Sequence, residues 1–121
     1  DLTCVLAPAD NAQAYLLRAQ VALLELFLHR QKKGIKGSFE IARRCQEDAK
    51  KGSSFNGALS HYLFLAGQFF EWESSEDSIS PQRYQELQTQ LKQHLEKNPD
   101  LSSNQASVLL QLMGSAAEEK K

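Results

Sequence analysis

From Tyr15 to Leu28 the chain is almost continuously apolar, broken only by Arg18, Gln20 and Glu25. The apolar side chains do not alternate at period two. They recur at helical spacing and spread around a wide arc of the helix. Such a helix is predicted to be buried on more than one side, so other helices must cover it. The three polar residues exclude a transmembrane span.

The rest of the chain supplies those helices. The first is predicted from Pro8–Asn11 to Lys33, closed by a basic last turn that complements the helix dipole and by Gly34. Residues 1–9 read as an extended leader. A short second helix, Ser38 to Lys51, carries Phe39, Ala42, Cys45 and Ala49 on a narrow face, and Gly52 ends it. Small residues there allow a neighbouring helix to approach closely. A third, capped by Ser53 or Ser54 and reaching Glu73, places Phe55, Ala58, Leu59, Tyr62, Leu63, Ala66, Phe69 and Phe70 at helical spacing. A second line of His61, Leu65, Gln68 and Trp72 runs down another of its faces.

Ser80-Pro81 signals the fourth helix, which runs to Lys97 with one stripe of Tyr84, Leu87, Leu91 and Leu95 opposite glutamines and charge. Asn98-Pro99-Asp100 stops it. Ser102 and Gln105 form a capping box for a fifth helix carrying Ala106, Val108, Leu109, Leu112, Met113 and Ala116, with 118–121 as a frayed tail. Length and short connections predict one all-α domain, 1–121. Its expected form is a compact antiparallel bundle of about five helices, four long and one short. Leu63, Ala66, Gly67 and Phe70 mimic half of a tetratricopeptide pattern. Arg83 and Glu86 break the other half, so no repeat is read.

No catalytic or cofactor-binding constellation emerges. His29, His61 and His94 lack metal-ligand spacing. Cys45 lies mid-helix, where nucleophiles seldom sit. Acidic residues cluster in the connector after Glu71, and there is no phosphate-cradling glycine loop. The reading is therefore a protein that is not an enzyme, with no cofactor and no metal. Cys4 and Cys45 could pair in an oxidising compartment, since the leader can reach about 20 Å.

Charge is segregated although the net charge is −1. From His29 to Gly52 eight Lys and Arg face three acids, a net of +5, whereas 71–86 carries a net of −4. No aromatics interleave with the basic stretch, which argues against nucleic acid and for electrostatic steering of a protein by Arg30, Lys32, Lys33 and Lys36.

The first and third helices are both broadly apolar, and the fifth nearly so. That surplus predicts an interaction or adaptor domain with an apolar groove of Phe64, Leu65, Trp72, Leu109, Leu112 and Met113. The groove would take a helix or peptide of another protein, or a second copy of the chain. The alternative is a small exported, periplasmic or secreted accessory or chaperone-like protein of a secretion or envelope assembly. The absent initiator Met, the two cysteines and the Gln-rich fourth helix allow it, and export is slightly favoured.

Overall fold

The structure, a computed structural model, describes residues 8–33, 38–75 and 79–119, with the side chains of 8–10, 30–33 and 119 left aside. The chain is all-α. Its helices are α1 (Pro8–Lys33), α2 (Ser38–Lys51), α3 (Gly57–Ser74), α4 (Pro81–Lys97) and α5 (Asn104–Glu119), with a 3-10 turn at Pro99–Leu101. There is no strand among the described residues. Contacts group the chain into two units, Asp1–Ser74 and Ser75–Lys121.

In the first unit α2 lies between α1 and α3 and runs antiparallel to both. Its small face makes this possible. Ala42, Cys45 and Ala49 are fully buried, as are Ala19 on α1 and Ala66 on α3. With so little side chain at the seam, the backbones come near enough for the Cys45 thiol to lie 3.4 Å from the Ala19 carbonyl and 3.8 Å from that of Leu63. The larger side chains, Leu16, Leu23 and Leu26 of α1 and Leu63, Phe69 and Phe70 of α3, fill the space around the seam. Phe27 meets Phe70 edge-on, with ring centroids 5.2 Å apart.

Polar bonds fix how α3 lies along α2. The Ser60 hydroxyl donates to the Ala49 carbonyl at 2.5 Å, and Gln46 Nε2 donates to Glu71 Oε1 at 2.7 Å and to the Ala42 carbonyl at 3.2 Å. A slip of one turn would break the Ser60 and Gln46–Glu71 bonds and bury unpartnered polar groups, each costing about 1–3 kcal/mol.

In the second unit α4 and α5 form an antiparallel helical hairpin. Tyr84, Leu87, Leu91 and Leu95 are buried, as expected of the α4 stripe, and α5 buries Ala106, Leu109, Met113 and Ala116. Gln88 crosses between the helices, its Nε2 donating to the Leu110 carbonyl at 2.8 Å. Ser80 is extended before Pro81, and the Asn98 N–H closes α4 on the carbonyls of His94 and Leu95.

Two caps differ from the sequence reading. The cap of α3 is Asn56, whose Oδ1 accepts the Leu59 N–H at 3.1 Å. Ser53 and Ser54 are held back in a turn closed by the Phe55 N–H on the Gly52 carbonyl, leaving Phe55 outside the helix and half exposed. For α5 the capping hydroxyl belongs to Ser103, which accepts the Ala106 N–H at 3.1 Å, one residue later than the expected box. Of the expected leader, residues 1–7 lie outside the described residues and Pro8 already belongs to α1. Lys120 and Lys121 of the expected tail also lie outside them.

Gly52 does more than end α2. A Cβ there would overlap the Leu16 side chain and lie 2.8 Å from the Ala12 carbonyl, so a hydrogen is required where α1 crosses the end of α2. Gly57, by contrast, has nothing within 4 Å of that position. Gly52→Ala is therefore expected to lower unfolding stability by about 1–3 kcal/mol in urea titration, the cost of overpacking. Gly57→Ala should be neutral or stabilise by up to about 1 kcal/mol. Equal effects would remove the close approach from the account.

Candidate interaction face on the first helix

The residues expected to line a groove are placed unequally. Leu65, Leu109 and Met113 are 2 %, 0 % and 0 % exposed, so they are core and offer nothing to a partner. Phe64, Trp72 and Leu112 are half-buried. Phe64 is also occupied, with Lys50 Nζ 5.1 Å from its ring centroid. Of the steering residues, Lys36 lies outside the described residues, as do the side chains of Arg30, Lys32 and Lys33.

Cys4 lies outside the described residues, and Cys45, with which it could pair, is a free, buried thiol. Its sulfur sits between two carbonyls inside the helix seam, where a second sulfur would have to displace packed backbone. Burial, aided by the nearby Asp48 charge, pushes the thiol up to about 12. It is held as a neutral, unreactive thiol.

The apolar surplus is found on α1. Leu17, Val21, Leu24 and Leu28 are 54–56 % exposed. They are spaced by four, three and four residues, and at 3.6 residues per turn they form one line along the helix. Ala12, Leu16, Ala19, Leu23 and Leu26, all at most 3 % exposed, form another on the opposite side. The wide apolar arc is thus two stripes, one in the core and one facing out. The expectation that α1 is buried on more than one side fails because both of its neighbours, α2 and α3, pack on the side of the inner stripe.

The outer stripe borders a shallow groove between α1 and α2, lined by Leu17, Arg18, Val21, Glu25, Arg44 and Asp48. Arg18 Nε lies 3.4 Å from Asp48 Oδ2. The pair is unequal, with Arg18 58 % exposed and Asp48 only 5 %. Arg18 also lies beside the Tyr15 ring, 5.9 Å from its centroid. The guanidinium is thereby held at the rim of the stripe while most of it still faces water.

Among the described residues no group of His, Cys, Asp and Glu could hold a metal ion. None of the described helices is long and apolar enough to cross a membrane. No family model, curated protein or solved structure matches the chain. Geometry alone therefore carries the functional reading.

Burial raises the Asp48 carboxyl above its ordinary range, and Arg18, Lys51 and Arg44 only partly oppose it. With the folded value above the unfolded one, the native state holds a proton where the unfolded chain has lost it. Stability then falls as pH rises through that window. Asp48→Asn should be more stable than the wild type near neutral pH. The gain should shrink as pH falls towards about 4, the ordinary carboxylate range, in urea unfolding across a pH series. A constant loss at every pH would show instead that the ion pair outweighs the desolvation.

Proposed function

We propose that this chain is a non-enzymatic protein-interaction domain whose contact face is the outer stripe of α1, and that the face accepts an amphipathic helix. The carrying observation is the exposed, evenly spaced line Leu17, Val21, Leu24 and Leu28. Scattered apolar residues on a surface mean little, but a continuous stripe rimmed by charge is the form that a helix-in-groove contact takes.

The magnitudes favour an adaptor role. Covering an already half-exposed Leu or Val gains about 1 kcal/mol, so the stripe is worth about 4 kcal/mol to one partner before the apolar side of that partner is added. That supports reversible association rather than permanent assembly. The stripe is also independent of the fold, because its residues touch the core little and can change without loss of packing.

A fluorescent synthetic helix with Leu at every a and d position tests this. Anisotropy should report saturable binding to the wild type. Binding should fall at least about tenfold for a variant with Gln at positions 17, 21, 24 and 28, while its thermal melting stays within a few degrees of wild type. Equal binding by both proteins, or none by either, would overturn the reading.

A further inference from the structure

We propose that the helix filling this face is α1 of a second copy of the chain, paired antiparallel along Leu17, Val21, Leu24 and Leu28. The inference rests on the reading of α1 as a helix-docking face and names its occupant. A spacing of four, three and four residues is that of a coiled-coil seam, in which apolar knobs enter holes of a like helix. Two identical seams satisfy one another without any other partner.

Charge decides the direction. Arg18 and Glu25 are one heptad apart and lie on the same flank of the seam, the flank bordering the α2 groove. Gln20 and Phe27 occupy the other flank. In an antiparallel pair related by a two-fold axis, each flank faces its own copy. Arg18 then approaches Glu25 of the partner subunit, and the symmetry makes this pair twice. A parallel pair would set the Arg18 flank against Gln20 and Phe27, with no ion pair formed. The two-fold axis falls between Ala22 and Leu23. It sets Leu17 across from Leu28 of the partner subunit and Val21 across from Leu24 of the partner subunit.

The ion pair with Asp48 prepares this contact. It holds the Arg18 guanidinium at the rim while leaving it 58 % exposed, so less freedom is lost on association. Four half-exposed apolar side chains per protomer fall below the area of a permanent dimer. The expected dissociation constant is roughly 1–100 µM, that of a reversible homodimer.

Sedimentation equilibrium of the full chain from about 1 to 500 µM reads this directly, a range chosen to bracket that constant. The wild type should follow a monomer–dimer curve. Leu24→Glu should associate at least about thirtyfold more weakly at unchanged helicity. Arg18→Glu and Glu25→Lys should each weaken self-association at least about fivefold, while an equimolar mixture recovers it, because each opposite-sign pair is rebuilt across the interface. A wild type monomeric throughout, or a Leu24→Glu chain that dimerises normally, would overturn the inference. A dimer whose charge variants are not rescued by mixing would overturn the antiparallel arrangement. If the wild type is monomeric yet binds the synthetic helix, only the second copy is excluded and the docking face stands. If it does neither, both readings fall.

Discussion

The whole arrangement follows from how little side chain α2 presents to its neighbours. Ala42, Cys45 and Ala49 leave room for backbone to approach backbone on both sides, and the thiol of Cys45 touches carbonyls of α1 and α3 at once. A Leu at any of the three would force the helices apart and open gaps around Leu16, Leu63 and Phe69. Close-packed interiors tolerate such changes poorly. Gly52 and Gly67 extend the same constraint along these two seams, since a Cβ at Gly67 would lie 2.9 Å from Gln46 Cγ and 3.2 Å from the Ala42 carbonyl.

That central position of α2 has a consequence for α1. The neighbours of α1, which are α2 along its length and α3 through Phe27, both lie on its inner side. The α1 sequence is apolar on two sides, so one side is left over. In α3 the same breadth is absorbed, with Tyr62, Leu63, Leu65, Ala66, Phe69 and Phe70 all buried. Energy comes mainly from the apolar packing. The register comes from Ser60 and Gln46, whose partners exist in only one alignment.

Much of the secondary structure could be read in advance because its punctuation is chemical. Ser38, Lys51, Pro81 and Lys97 bound α2 and α4 as expected, where proline, glycine and the loss of periodicity agree. Caps were harder. Several hydroxyl or amide side chains stand near each start, and the winner is set by the preceding turn, as Asn56 and Ser103 show. The candidate site was read only in part. Periodicity states which residues share a face, but it does not state which face another helix covers. It therefore grouped Leu65, Leu109 and Met113 with available surface although they are core, and it could not single out Leu17, Val21, Leu24 and Leu28. The usable signal was the four-three-four spacing on the side of α1 away from Ala12, Ala19 and Ala22. Those alanines mark the side on which a neighbour comes close.

Leu23 and Leu24 are adjacent, chemically identical and set in the same helix, yet one is 1 % exposed and the other 55 %. Urea unfolding of Leu23→Ala and Leu24→Ala at low micromolar concentration therefore isolates the division of α1 into an inner and an outer side. Leu23→Ala should cost about 2–4 kcal/mol, and Leu24→Ala less than about 0.5 kcal/mol. Comparable losses from both would place the outer side within the core and contradict the account.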